Sequence, residues 1–142
     1  MASDSHLLLK DQLCFPIYAT SRMVTKLYQP YLDKLNLTYP QYLVMLVLWE
    51  QDKQTVSAIG KRLFLKTNTL TPLLKIMKEK GLLNKVRSST DERVVIIQLS
   101  LAGKKLKKIA EPVPFNIVQS MNLSIEELKQ MRTLMWKFLD GV

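Results

Sequence analysis

The sequence lacks several features that define large classes of proteins. Its 142 residues include a single cysteine, Cys14, which excludes an internal disulfide framework and suits a reducing compartment. With one cysteine and one histidine, the ligand spacing of a zinc site is missing, so we expect no metal and no cofactor. No apolar run approaches the ~20 residues that span a bilayer, and we therefore expect no membrane partner.

Other absences narrow the choice further. The opening residues MASDSHLLLK have no basic n-region, so we expect no secretory signal, a loose tail over 1–10 and a cytoplasmic location. The sequence has no Gly-rich phosphate loop and no internal repeat. Glu126 and Glu127 fit the start of a helix better than a catalytic pair. The length predicts one domain over 1–142, and a hydrophobic content of 47% is enough for a core.

Positive charge is concentrated in one part of the chain. Residues 53–108 contain fourteen Lys and Arg against three Asp and Glu, a net charge of +11. The remaining residues contain seven bases and nine acids, a net charge of −2. A solvated basic face is the simplest interpretation, but an excess confined to one segment favours a polyanion such as nucleic acid.

The apolar periodicity predicts a mainly α protein with a small β wing. In order, we expect a helix over 11–35, a helix over 39–50, a strand at 55–56, two helices around a turn at 65–68, strands over 82–87 and 93–99 joined by 88–92, and helices after Ser100 and Ser124. Pro112 and Pro114 should end or kink the helix that follows Ser100. Residues 55–99 thus have the order of a winged helix-turn-helix, whose second helix enters the DNA major groove.

Helix boundaries follow from capping residues. Thr38 with Gln41 forms a capping box, and Ser124 opens a second one. Thr55 or Ser57 can cap the third helix, Thr67 or Asn68 can cap the fourth, and Gly81 suits the end of the fourth. Pro16 either follows the start of the first helix closely or kinks it. Both alternatives put Cys14 at or near a helix N-terminus.

The inward-facing residues can be assigned helix by helix. The predicted sets are Leu43, Leu46, Val47 and Trp49 in the second helix, Ile59, Leu63 and Phe64 in the third, and Leu70, Leu73, Leu74 and Met77 in the fourth. The last helix has an apolar side formed by Leu128, Met131, Leu134, Met135 and Phe138.

The fourth helix carries the residues expected to contact DNA bases. Its N-terminal end has short polar side chains suited to base edges and phosphates: Thr67, Asn68, Thr69 and Thr71. Pro72 offers a methylene surface to a thymine methyl group, and Lys75 can reach a guanine or a phosphate. Capping is the alternative role for Thr67 and Asn68, and the two roles are compatible.

The tip between the two wing strands is the second expected contact with DNA. Asp91, two residues before Arg93, can hold the guanidinium in one pose while the tip approaches the minor groove. An ordinary surface ion pair, contributing about 0–1 kcal/mol, is the alternative. Arg87 at the end of the first wing strand and Lys66 in the turn complete the predicted DNA-binding set.

The segment DERVVIIQLSLAGKKL resembles the wing-to-helix signature of the MarR family of winged-helix regulators. The resemblance covers nearly the whole chain. LCF, the following Tyr18 and LTYPQY are typical of the OhrR-type branch of organic-hydroperoxide sensors and related single-cysteine regulators. The resemblance implies an obligate homodimer, joined by helices over 11–35 and 101–142, that binds double-stranded DNA at a near-palindromic operator.

The same resemblance implies roles for individual residues. Cys14 matches the peroxidatic cysteine, and Tyr28 and Tyr39 match tyrosines that hydrogen-bond its sulfur from the partner subunit. Tyr18 matches an aromatic residue that moves on oxidation. The chain departs from the pattern at Lys66, where relatives commonly have an acid, at Asn68, where they have glycine, and at Pro16, where they have an apolar residue. It also has no resolving cysteine.

The resemblance predicts a repressor released when hydroperoxide oxidises Cys14. A free cysteine thiol has a pKa near 8.5, and both a helix N-terminus and tyrosine hydroxyls stabilise the thiolate that reacts. Peroxide then gives a sulfenic acid, which a small cellular thiol, a cysteine of another chain or overoxidation would convert further. The alternatives are a regulator relieved by a small aromatic ligand, a thiol peroxidase, a nonspecific nucleoid-type binder and a cysteine that is only a small buried hydrophobe.

Overall fold

The computed structural model describes residues 4–142 and contains seven helices and three short strands in that range. Two 3₁₀ turns over Asp4–Leu7 and Leu9–Asp11 precede them. In chain order the elements are α1 Cys14–Leu35, α2 Tyr39–Glu50, β1 Gln54–Thr55, α3 Val56–Leu63, α4 Thr67–Glu79, β2 Leu83–Arg87, β3 Val95–Leu99, α5 Leu101–Ala110, α6 Val113–Ser120 and α7 Ile125–Asp140. The mainly α fold with a β wing is therefore confirmed. The loose tail predicted over 1–10 is wrong for 4–10, where these turns lie, and residues 1–3 lie outside the described residues.

The strands form one antiparallel sheet in the order β1–β3–β2. Leu83 faces Leu99 at the base of the hairpin, and Arg87 faces Val95 at the end near the tip. The strand expected at 55–56 begins one residue earlier and pairs with β3, with Gln54 opposite Ile97. Strand β3 starts at Val95 because the N–H of Val94 donates to the carbonyl of Asp91 (3.0 Å), which keeps 93–94 in the tip loop.

Local capping chemistry fixes most helix ends where it was predicted. The hydroxyl of Thr38 accepts from the N–H of Gln41 (3.4 Å), and the side-chain oxygen of Gln41 accepts from the N–H of Thr38 (3.0 Å). Ser124 and Glu127 form the same reciprocal pair. Thr55, rather than Ser57, caps α3 by accepting from the N–H of Ala58 (3.0 Å).

Two expected helix starts are different in the structure. Helix α1 begins at Cys14 rather than Asp11, so Pro16 lies in the first turn, where its missing N–H costs nothing, and no kink is needed. Helix α4 begins at Thr67, and Lys66 is its N-cap residue with extended backbone angles and no side-chain bond. Capping of α4 by Thr67 or Asn68 is therefore wrong, because both already have helical geometry.

The core lies where α2 and α4 meet the sheet and the ends of α1 and α6. Leu70, Leu74 and Met77 of α4 are fully buried, as predicted. In α2 the periodicity fails, since the helix is apolar nearly all round: Val44 and Met45 are fully buried while Leu46 is exposed. Of the other predicted members, Val47 and Ile59 are buried, as predicted, whereas Phe64 is exposed; α7 has no buried residue.

Candidate functional site

The polar face of α4 is open to solvent. Lys66, Thr67, Asn68, Thr69, Thr71, Pro72 and Lys75 are all exposed. The opposite side of the same helix supplies Leu70, Leu74 and Met77 to the core. Because burial of that side fixes the rotation of the helix, the polar residues named in the sequence are held together on one outward surface.

The first turn of α4 has backbone groups available to a ligand. Within residues 6–142 no side chain accepts from the N–H of Thr67 or Asn68, as expected for the first turn of a helix whose N-cap side chain does not bond. The hydroxyl of Thr71 donates to the carbonyl of Thr67 (2.8 Å). Pro72 lacks the N–H that would bond to the carbonyl of Asn68. The surface therefore has free donors and a free acceptor, the groups that phosphates and base edges need.

The turn between α3 and α4 is tight because of two residues. Phe64 caps α3 in the left-handed region (φ 56°), and the N–H of Leu65 donates to the carbonyl of Gly60 (2.9 Å). A Cβ atom at position 60 would lie 2.7 Å from the carbonyl oxygen of Leu65, closer than real contacts allow. Gly60 is therefore what lets α4 approach α3 at this angle.

The wing tip is ordered by its own hydrogen bonds. Asp91 Oδ1 accepts from the backbone N–H of Arg93 (3.0 Å) and lies 3.8 Å from Arg93 Nε. Arg87 Nη1 donates to the carbonyl of Glu92 (2.8 Å). Asp91 thus shapes the turn beneath Arg93 more than it pairs with the guanidinium, whose side chain remains 95% exposed.

A cleft of about 370 Å³ separates α4 from the wing. Thr67 and Thr71 line one side of it, and Lys85 and Arg93 line the other. The structure therefore brings part of the predicted DNA-binding set to one groove. Lys85 was missing from that set, although alternation along β2 could have found it, because Lys85 and Arg87 point to the same face of a strand.

Few of the cations are neutralised by neighbouring carboxylates. Within residues 6–142 the ion pairs are Arg62 with Glu50 (2.7 Å) and the long Arg93–Asp91 contact. The charge of Arg62 is thus paired with a carboxylate of the same chain. The other cations of residues 53–108 have no carboxylate within 4.0 Å in the described part of the chain, so their field is directed to solvent.

Cys14 is exposed as the first residue of α1. Tyr18, one turn further on, is also exposed and has the guanidinium of Arg22 at 5.7 Å from its ring centre. The predicted placement of the cysteine at a helix N-terminus is confirmed. No tyrosine hydroxyl hydrogen-bonds to the Cys14 sulfur among residues 6–142.

Tyr28 and Tyr39 are brought together at the other end of α1. Their ring centres are 4.9 Å apart, and both rings pack on Tyr42, at 5.5 and 6.3 Å. Burial raises the pKa of Tyr28 to about 12, with smaller contributions from Tyr39 and Tyr42. Burial also raises the pKa of Tyr39 and of Tyr42.

One chain does not join the cysteine to this tyrosine cluster. Cys14 and Tyr28 are separated by fourteen positions of a continuous helix, which is about 21 Å at 1.5 Å per residue. Tyr42 was missing from the predicted redox set. There was little reason in the sequence to include it, because an aromatic residue in an apolar helix such as α2 is usually a core residue. Contact between Cys14 and Tyr28 or Tyr39 would require a second copy.

Comparisons with known proteins place this arrangement in a family. The model of the SarA/Rot transcriptional regulators matches residues 26–110. The organic hydroperoxide resistance transcriptional regulator of Bacillus subtilis is 47% identical over 135 residues, covering 95% of this chain and 92% of that protein. The chain belongs to the SarA/Rot family of transcriptional regulators.

Solved structures show the same fold for this family member. Reduced AbfR of Staphylococcus epidermidis bound to DNA aligns with a TM-score of 0.81 at 33% identity, over 97% of this chain and 94% of that chain. Overoxidized AbfR bound to DNA aligns with a TM-score of 0.72 at 35% identity, over 92% and 94%. The fold is the MarR-type winged helix, and the predicted resemblance is confirmed.

Family membership also settles the class of the protein. The relatives are transcriptional regulators rather than enzymes, which confirms a regulator and removes support from a thiol peroxidase. None of the helices described is both long and apolar enough to cross a membrane. The roles of individual residues, including the assignment of Cys14 as the sensor, remain predictions for this SarA/Rot family member.

Proposed function

We propose that this regulator is a cytoplasmic repressor that binds a near-palindromic operator as a homodimer and is released when an organic hydroperoxide oxidises Cys14. The observation that carries the proposal is the exposed cysteine at the start of α1, in a chain 47% identical to an organic hydroperoxide resistance regulator. The domain then divides into helices for dimerisation over 11–35 and 101–142 and a DNA-binding unit over 55–99.

DNA contact is assigned to α4 and the wing. The exposed hydroxyls, the free N–H groups of the first turn and Lys75 suit the major groove, and Arg93 suits the minor groove. Lys66 at the start of α4 and Lys85 and Arg87 of β2 add positive charge to these two elements. Lys66 and Asn68 depart from the family pattern, so the operator sequence of this protein does not follow from the operators of its relatives.

The dimer is supported by apolar surface that one chain leaves uncovered. Helix α7 exposes Leu134, Trp136 and Phe138, and the first turns of α1 expose Phe15 and Ile17. Exposed apolar surface of this extent on adjoining elements is typical of a protein interface. A twofold dimer would place two copies of α4 about one helical turn of DNA apart.

The chemical step is the transfer of one oxygen atom. The Cys14 thiolate attacks the terminal oxygen of the hydroperoxide, the O–O bond breaks, and the leaving alkoxide is protonated to an alcohol. Sulfur is oxidised by two electrons to a sulfenic acid and the peroxide is reduced. Because the sequence has no other cysteine, a low-molecular-weight thiol is the proposed resolving partner, giving a mixed disulfide and water.

The form of oxidised Cys14 matters for release. The crystal structure of overoxidized AbfR is of the protein bound to DNA, so overoxidation is compatible with DNA binding in that protein. For this chain we therefore propose that a bulky mixed disulfide, which has to be accommodated beside the partner's Tyr28 and Tyr39, is the form that releases the operator.

The test is operator binding by fluorescence anisotropy on DNA upstream of the protein's own gene. Reduced protein should bind, and cumene hydroperoxide with a small thiol should weaken binding by more than about tenfold. Cys14→Ser should bind and not respond. Equal release of Cys14→Ser would refute the role of the cysteine, and equal affinity for random DNA would favour a nonspecific binder.

A second candidate keeps DNA binding and changes the trigger to a small aromatic ligand. A cleft of about 780 Å³ lies between α1 and α7, which is the size range of small-molecule sites. Its lining is mainly apolar, with Met23, Met131 and Trp136 among the residues. An increase in melting temperature with aromatic acids while Cys14 is blocked would favour this candidate.

A further inference from the structure

The side chain of Lys80 connects α4 to the corner between α1 and α2. Lys80 is the C-cap residue of α4. Its ammonium lies 2.7 Å from the carbonyl oxygen of Asn36 and 3.0 Å from Oε1 of Gln41. These two bonds join the end of α4 to residues that are 44 and 39 positions earlier in the chain.

Both acceptors belong to helix termini. Asn36 ends α1 in the left-handed conformation (φ 54°), and its carbonyl lies at the negative end of the helix dipole, where a cation is stabilised. Gln41 is 3% exposed, and the same Oε1 accepts from the N–H of Thr38 to start α2. Lys80 therefore shares an acceptor with the capping box of α2.

The tyrosine cluster is part of this corner. Tyr39 is the first residue of α2, between Thr38 and Gln41, and its ring packs on Tyr28 of α1. Tyr39 and Gln41 lie in the same first turn of α2, so a displacement of the Tyr39 backbone would also move the Gln41 oxygen that Lys80 binds.

The turn that follows Lys80 is rigid. The N–H of Gly81 donates to the carbonyl of Lys78 (2.9 Å), and that of Leu82 donates to the carbonyl of Met77 (3.1 Å), which together form a Schellman motif. The carbonyl of Gly81 accepts from the hydroxyl of Ser100 (2.6 Å). The backbone from Lys80 to Leu82 is thus bonded both to α4 and to Ser100, so a change in the backbone position of Lys80 would affect α4 and β2 together.

We propose that Lys80 is a positioning residue that transmits the state of the tyrosine cluster to the recognition helix α4. This rests on the proposed function, because the input is the displacement of Tyr28 and Tyr39 by oxidised Cys14 of the partner. Lys80 lies outside both the set of residues proposed to contact DNA and the predicted redox set. Its role is to make the orientation of α4 depend on the α1–α2 corner.

The test compares Lys80→Met with Lys78→Met. Both residues are exposed and both substitutions remove one positive charge from the end of α4, but the Lys78 ammonium has no hydrogen bond within residues 6–142, whereas the Lys80 ammonium has two. Two quantities are measured: the ratio of operator dissociation constants for oxidised and reduced protein, and the rate of Cys14 oxidation by mass spectrometry.

Lys80→Met should oxidise at the parent's rate, and its ratio should fall about tenfold below that of Lys78→Met. Lys80→Arg, which keeps donors, should recover most of the ratio.

A measurement on the parent keeps the proposal testable if Lys80→Met folds poorly. Hydrogen exchange at the amides of Thr38 and Gln41, which form the capping box beside the Lys80 ammonium, should accelerate when Cys14 is oxidised. Unchanged exchange, or a ratio for Lys80→Met equal to that of the parent or of Lys78→Met, overturns the role of Lys80. If hydroperoxide does not release the parent from its operator at all, the proposed function fails and the inference fails with it. If the parent is released and Lys80→Met is released equally, only the inference fails.

Discussion

Helices α4 and α7 have similar amphipathic patterns and opposite burial. In α4 the residues Leu70, Leu74 and Met77 are fully buried within one chain. In α7 the corresponding apolar positions remain open, with Leu134 65% and Phe138 71% exposed. The same kind of pattern thus completes a core in one region and leaves an unsatisfied surface in the other.

The difference separates a region that is stabilised by packing within one chain from a region that is not. Residues from the end of α1 to α6 pack on each other, and this packing fixes the angle of α4 and the wing without contacts from a second chain. The start of α1 and α7 are stabilised within the chain mainly by local helix chemistry and by contacts such as Phe64 with Trp136, whose ring centres are 6.5 Å apart. That contact joins α7 to the turn before α4. A partner chain bound to α7 would therefore also affect the position of the DNA-binding unit.

The largest expected effect is loss of the dimer on introducing a charge into the α7 surface. Phe138→Glu should leave an unpaired carboxylate in an apolar interface at a cost of about 3–5 kcal/mol, weakening dimerisation more than about 100-fold. Sedimentation should then show a monomer, and operator binding should be lost. Gln130→Glu adds the same charge at an exposed polar position of α7 and should leave the dimer intact. A dimeric Phe138→Glu protein would show that α7 is not the interface.

The next effect separates the two regions by stability. Leu74→Ala should lower the free energy of unfolding by about 2–5 kcal/mol, since the side chain is fully buried and its loss leaves a cavity. Leu134→Ala, the same substitution on α7, should act mainly on the dimer, so its effect on urea unfolding should depend on protein concentration. Equal losses that do not change with concentration would show that α7 is closed within one chain.

These contrasts indicate which features a sequence can supply. The capping pairs Thr38–Gln41 and Ser124–Glu127 were predictable because a cap depends on residues three positions apart. The polar face of α4 was predictable because its apolar residues recur at helical spacing. Both follow from local chemistry that holds in any fold.

Other features depend on contacts that no local pattern encodes. The bond between Lys80 and Asn36 spans 44 positions, and nothing near Lys80 in the sequence marks it. The inner face of α2 was missed because Val44, Met45 and Leu46 are all apolar, so only packing decides which of them is buried. Lys66 was missed as an N-cap residue because its backbone angles, not its side chain, give it that position.

A smaller effect concerns the tyrosine cluster between the two regions. Folding raises the pKa of Tyr28 from 10.0 to about 12, chiefly by burial, so the folded state holds the phenolic proton more tightly. The associated stability is fully present below pH 10.0 and is lost as the pH rises towards 12. Urea unfolding at pH 8, 10 and 11 should show this loss, and Tyr28→Phe should reduce it. Part of the loss should persist in Tyr28→Phe, because the pKa of Tyr39 and of Tyr42 is also raised. An unchanged pH dependence in Tyr28→Phe would mean that this phenol is not buried in solution.

The smallest effect tests how far α7 depends on its own capping box. Ser124→Ala removes the hydroxyl that accepts from the N–H of Glu127 (3.1 Å), so it should cost about 1 kcal/mol. Ser120→Ala is the matched control, because its hydroxyl only donates to the carbonyl of Asn116 one turn back in α6, and it should change stability by less than about 0.5 kcal/mol. Since α7 has no residue buried within one chain, its cap supplies a larger share of its stability than a cap in the core region does. Dilution into the monomer range should therefore enlarge the difference between the two variants in helix content by circular dichroism. A difference that stays constant on dilution would show that packing within one chain already holds α7.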